Sequence, residues 1–149
     1  MKILVLEDNR DRRDAMRGCL ADRLYTYESV FFETPKPMLG YLREHLGEAI
    51  CISLDHDMEL VENGDGRLSD PGTGREIADY LAAHSPQCPI VIHSTNSAAA
   101  EGMEAALKES GWVVHRVSPW GDLEWVHSSW LPTVRRAILD SAQRIHPVT

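Results

Sequence analysis

Ala49 to Met58 reads AICISLDHDM. From Ala49 to Leu54 the run is apolar except for Ser53, and it carries the β-branched Ile50 and Ile52. A short apolar run of this kind predicts a strand buried on both faces, the type found in parallel sheets. Two carboxylates follow at once, Asp55 and Asp57, with His56 between them. Charged side chains are almost never fully buried unless paired or bound to a metal. Asp55 and Asp57 therefore belong where the strand leaves the core, at its C-terminal end. In open α/β sheets that edge is where ligands bind.

Working outward, Lys2 to Leu6, KILVL, repeats the buried-strand pattern and also ends in acids, Glu7 and Asp8. Asn9 or Asp11 then caps a helix over Arg12 to Arg23, with Ala15, Met16, Cys19 and Leu20 at helical spacing. Glu28 to Glu33 predicts another strand, and Pro37 to Leu46 a helix. After the opening strand, Glu59 to Thr73 is rich in Gly, Pro and polar residues and predicts a loop. Directly behind Asp57, such a loop is expected to be a mobile lid over the acidic edge. Gly74 to His84 predicts a helix, and Pro89 to His93 a strand ending in Ser94, Thr95 and Asn96. Ala98 to Ser110 is a helix closed by Gly111, and Trp112 to Val117 is the fifth strand. A Trp-rich connection over Ser118 to Trp130 leads into a last helix, Leu131 to Ile145. Strict strand–helix alternation implies an α/β fold: a doubly wound, five-stranded parallel sheet of flavodoxin type, order 2-1-3-4-5. Helices cover both faces, and residues 1–149 form a single domain.

The chain has 149 residues, 43% hydrophobic and 26% charged, with a formal net charge of −8. The negative balance disfavours a broad nucleic-acid surface, yet leaves room for a small phosphate held through a metal. No apolar run approaches the length of a membrane span. The start, MKILVLED, is too short and too quickly acidic for a secretory signal. Cys19, Cys51 and Cys88 are odd in number and scattered among apolar neighbours, which predicts buried thiols in a reducing cytoplasm.

In the order 2-1-3-4-5 the first and third strands are neighbours, so Glu7, Asp8, Asp55 and Asp57 converge. Clustered carboxylates repel unless a cation neutralises them. Hard oxygen ligands suit Mg²⁺ or Mn²⁺, and Mg²⁺ typically keeps waters and bridges to a phosphate. His56 and His93 flank Asp55 and Ser94 at the same edge, and histidine is the side chain best suited to move protons near neutral pH. His115 on the fifth strand reads as an ordinary core histidine. Arg10, Arg12 and Arg13 read chiefly as a solvated helix face. Trp112, Trp120, Trp125 and Trp130 read chiefly as packing, with a stacking platform as the alternative.

These residues carry a resemblance. Over Met1 to Ile145 the chain resembles a response-regulator receiver domain of the CheY-like type. That family's acidic pair matches Glu7 and Asp8 in VLEDN, its phospho-accepting aspartate matches Asp55 in ISLDHDM, and the residue lending a backbone carbonyl to the metal matches Asp57. Its hydroxyl residue after the fourth strand matches Ser94 in VIHST. The chain departs from the pattern after the fifth strand, where Ser118-Pro119 replaces lysine-proline. Arg116 shares a strand face with position 118 and is the nearest substitute. With LDHD and IHSTN, these departures look closer to a divergent branch, the cyclic-phosphate processing receiver-like domain. His93-Ser94-Thr95 and His127-Ser128-Ser129 also share the H-x-[ST] spacing of two-histidine cyclic phosphodiesterases, whose fold differs.

The resemblance implies a stand-alone cytoplasmic domain that binds or processes a phosphoryl group through a metal. As a metal-dependent phosphoesterase it would hold Mg²⁺ or Mn²⁺ on Glu7, Asp8, Asp55 and Asp57. Asp55, His56, His93 and Ser94 would act catalytically, and Ser94, Thr95, Asn96 and Arg116 would bind the phosphate of a small molecule. As a signalling regulator it would instead take a phosphoryl group from a phosphodonor onto Asp55 and act through a protein partner.

Overall fold

The computed structural model describes residues 1–145; the end of the expected 1–149 domain lies outside them. Parallel strands β1 (Lys2–Leu6), β2 (Glu28–Phe32), β3 (Ala49–Leu54), β6 (Ile90–His93) and β7 (Val114–Val117) form one sheet in the order β2-β1-β3-β6-β7. Counted among themselves, these strands follow the expected order 2-1-3-4-5. A separate antiparallel hairpin, β4 (Val61–Glu62) and β5 (Leu68–Ser69), occupies the stretch read as a loop. Two-residue strands are too short to show alternation, so the turn around Gly66, at φ 81°, is the visible determinant. There the Asn63 N–H donates to the Arg67 carbonyl (2.7 Å).

Helices α1 (Arg10–Arg23), α2 (Pro35–His45), α3 (Gly74–Ala82), α4 (Ser97–Glu109) and α5 (Leu131–Ile145) cover both faces. The Asn9 side chain accepts the Arg12 N–H at 3.0 Å, so the first helix starts at Arg10, one turn-half earlier than read. The fifth strand is shorter than Trp112 to Val117: Trp112 packs in the turn before it, its indole N–H donating to the Leu81 carbonyl (2.9 Å). Strand alternation splits the core in two. Leu4, Leu6, Ile52, Leu54, Ile90 and Ile92 face α2, α3 and α4, where Met38, Leu42, Ile77, Leu81, Met103 and Leu107 meet them. Ile3, Val5, Cys51 and Val91 face α1 and α5, meeting Met16, Leu20, Val134 and Ile138 together with Trp125 and Trp130. All three cysteines are buried and free.

The Trp-rich connection is more ordered than read. Val126–Trp130 forms a π-helical turn running directly into α5, a distortion often found at functional sites. It drives Trp125 and Trp130 fully into the α1–α5 core, while Trp120 stays exposed. Among the described residues no helix is long and apolar enough to cross a membrane.

Candidate functional site

The register of the central strands builds the site. Leu6 of β1 pairs with Leu54 of β3, and Leu54 with Ile92 of β6. The next residues, Glu7, Asp55 and His93, therefore stand in one row at the C-terminal edge. The Asp55 N–H donates to the Leu6 carbonyl at 3.1 Å, which ties the row together. Glu7 and His93 are fully buried and Asp55 nearly so, and one ligand atom of each lies within 4.8 Å of the others. Glu7 Oε1 and His93 Nε2 face each other at 3.4 Å. Both atoms are buried without a hydrogen-bond partner.

Behind His93 runs a file of polar atoms. Trp130 Nε1–H donates to Ser53 Oγ (2.9 Å), and Ser53 Oγ lies 2.7 Å from His93 Nδ1. The His93 ring stacks on Trp125 with centroids 6.0 Å apart and meets Trp130 edge-on at 6.5 Å. The Arg12 guanidinium sits over Trp125 at 5.4 Å and reaches Glu7 (3.7 Å) and Asp55 (4.0 Å). Arg13 folds over the backbone, donating to the Glu7 and Asp8 carbonyls and pairing with Glu33. Arg12 and Arg13 thus turn inward, against the solvated-face reading, whereas Arg10 stays exposed.

In front of this row is an open cavity of about 270 Å³ lined by Asp8, Asn9, Arg12, Asp55, Asp57, Met58, Glu59 and Thr95. The Glu59 N–H holds the Asp8 carboxylate at 2.7 Å, tying the start of the hairpin segment to the acidic edge. Asp57 accepts from Asn96 Nδ2 (3.3 Å), and its carboxylate lies 2.6 Å from His56 Nδ1. Asn96 also caps α4, accepting the Ala99 N–H at 3.1 Å. Ser94 is buried and accepts the Asn96 N–H at 3.1 Å.

Not every expected residue comes to the cavity. Arg116 pairs with Ile92 in register, so it stands on the α3–α4 face, outside the cavity lining. The cation at the cavity is Arg12. His115 pairs with Val91 on the other face, its buried Nε2 unpartnered. His127 lines a different cavity beside α1 and lies 3.2 Å from the Cys19 thiol, so the two H-x-[ST] tripeptides do not share a site. Trp125 and Trp130 pack in the core as read, but their place beside His93, like the roles of Ser53 and Gly74, escaped the sequence reading. Ser53 is the one polar residue inside the β3 run, which was its available signal. Gly74 opens α3, and a Cβ there would lie 1.8 Å from the Asp55 carbonyl oxygen. Glycine is what lets α3 approach the strand end that carries Asp55.

Electrostatics follow from this packing. Burial pushes Asp55 up to about 7; neighbouring His93 pulls it down, Glu7 raises it further, the His56 N–H lowers it and Asp8 adds to the rise. Burial also raises Asp8. Glu7 is pushed up by burial, but His93, the Asn9 N–H and Arg12 together outweigh this and hold it below the ordinary carboxylate range. Asp8, Asp55 and Asp57 offer carboxylate oxygens at the cavity, and the buried Glu7 Oε1 and His93 Nε2 behind them have no hydrogen-bond partner. The residues present fit a divalent metal.

The five-stranded doubly wound sheet carries its acids at the carboxyl edge, where open α/β folds bind ligands. The cyclic-phosphate processing receiver domain matches residues 2–109, and the chain belongs to that family. Its fold is shared by the phosphorylated cyanobacterial phytochrome response regulator RcpA (18% identity, 94% of each chain covered, TM-score 0.68). A receiver domain from Rhodospirillum rubrum is similar as well (18% identity, 95% of this chain and 94% of that one, TM-score 0.63). So is the Mn²⁺-bound response regulator Rcp1 (14% identity, 99% and 96% covered, TM-score 0.60). No curated protein matches the chain.

Proposed function

We propose that this domain processes a phosphate ester of the cyclic-phosphate class, with Mg²⁺ or Mn²⁺ held at the cavity by Asp8, Asp55 and Asp57 and with Glu7 behind them. The observation that carries this reading is the open cavity lined by four acidic residues, Asp8, Asp55, Asp57 and Glu59, and by the Arg12 guanidinium. A bound metal of this kind polarises phosphoryl oxygens and activates water. The chain's own residues do the rest. Arg12 reaches toward Asp55 from above Trp125 and binds phosphoryl oxygens in the role expected of Arg116. Thr95 lines the same cavity, and Ser94 and Asn96 stand beside it to take further oxygens. His56, partly exposed and paired with Asp57, moves the proton at the cavity mouth. The matched family's name supports the substrate class.

A second reading is a signalling regulator phosphorylated on Asp55. The fold shared with phosphorylated RcpA favours it; Ser118, standing where receivers carry lysine, weighs against it. One experiment separates the two. The protein is incubated with Mg²⁺ and nucleoside cyclic phosphates under ³¹P NMR, and in parallel with a small phosphodonor followed by intact mass. Ring opening that is lost in Asp55→Ala supports processing. A stable adduct of one phosphoryl group on Asp55 supports signalling. Neither result, or a reaction that survives Asp55→Ala, overturns both.

A further inference from the structure

Glu7 and His93 do not line the cavity, yet their functional atoms are aimed at each other and at Asp55, which does. Nε2 and Oε1 stand 3.4 Å apart, and each is buried without a hydrogen-bond partner. Buried polar atoms without partners are costly. The file behind the ring fixes its orientation. The Trp130 indole can only donate, so Ser53 Oγ accepts from it and has a second lone pair open to His93 Nδ1–H. In that tautomer Nε2 presents a lone pair to the two carboxylates. A histidine whose far nitrogen donates to a fixed acceptor is the arrangement that orients ligating imidazoles.

We propose that Glu7, Asp55 and His93 form a second cation position, one layer deeper than the cavity carboxylates, which takes a transition-metal dication (Mn²⁺, Fe²⁺ or Zn²⁺) in preference to Mg²⁺. It shares Asp55, and Glu7 behind it, with the metal-dependent reading above, and it differs from that reading in His93. The donor set decides the class: imidazole nitrogen suits first-row transition metals, whereas Mg²⁺ favours oxygen and retained water. Two positive charges balance the Glu7 and Asp55 carboxylates, and Asp55, which also borders the cavity, opens the route inward.

The test uses the whole chain, stripped with chelator and loaded with Mn²⁺, then measured by pulsed EPR with and without ¹⁵N-histidine labelling. Nitrogen coupling that responds to the label and vanishes in His93→Gln is expected. Calorimetry should show His93→Gln losing the preference for Mn²⁺ over Mg²⁺, and Ser53→Ala binding Mn²⁺ about 10–100-fold more weakly, the usual cost of removing a group that orients a ligating histidine. No bound Mn²⁺, no nitrogen coupling in the unaltered protein, or an unchanged preference in His93→Gln overturns the proposal. Asp8→Asn tells the two ideas apart: unchanged Mg²⁺ binding there, with the nitrogen coupling intact, sinks the cavity reading and leaves the deeper position standing.

Discussion

The site has two halves built on opposite terms. Its floor, made of Glu7, Ser53, His93, Trp125 and Trp130, is fully buried, and the file from Trp130 through Ser53 to His93 is held by hydrogen bonds. Its mouth, made of Asp8, Asp57, Thr95 and Glu59, is open and held by a few exposed contacts: the Glu59 N–H to Asp8, and Asn96 and His56 to Asp57. Asp55 alone belongs to both. The difference teaches that changes in the floor are read as lost stability, and changes in the mouth as lost binding.

The largest effect should come from the floor. Trp130→Ala removes a fully buried indole and one of the two hydrogen-bond partners of Ser53, and should cost about 3–5 kcal/mol in urea unfolding. A loss below 1 kcal/mol would break the distinction. Next is the shared residue. With Asp55 raised from the ordinary 3.8 to about 7, the folded metal-free protein holds a proton that the unfolded chain releases earlier. Its stability therefore falls as pH rises through that window, by up to about 1.4 kcal/mol per unit, and levels off above it. Asp55→Asn should flatten this slope in thermal melts across the same range. In the unaltered protein, Mg²⁺ competes with that proton, so calorimetric affinity should rise with pH and level off above about 7.

At the seam between the halves, Gly74→Ala should destabilise by about 1–3 kcal/mol through overpacking against the Asp55 backbone. An exposed helical glycine would show the opposite sign, since alanine is the better helix former by about 1 kcal/mol. The smallest effect belongs to the mouth: Asp57→Asn should shift stability by no more than about 0.5 kcal/mol, as surface changes do. It should still weaken Mg²⁺ binding, and a stability loss as large as that of Trp130→Ala would erase the contrast.

The mouth was far more legible in the sequence than the floor. Asp8, Asp55 and Asp57 follow apolar runs directly, so strand ends alone place them at one edge. The five-stranded topology follows from the same alternation, because each run was long enough to show its period. The floor depends on pairs distant in the chain, such as Trp130 and Ser53, 77 residues apart, which no local pattern reveals. Arg12 looked like a solvated helix residue because its inward turn is set by Trp125, itself swung in by the π-helical turn. The hairpin stayed hidden because two-residue strands have no period to read.

The placement of the indoles makes the molecule its own optical gauge. Trp125 and Trp130 both contact the His93 ring, whereas Trp112 lies on the other side of the sheet and Trp120 faces solvent. The first two are shielded from bulk water and sit against a single imidazole. A dye-free fluorescence trace would therefore follow events at the floor in real time, and a Trp120→Phe background would remove the solvent-exposed emission that blurs it.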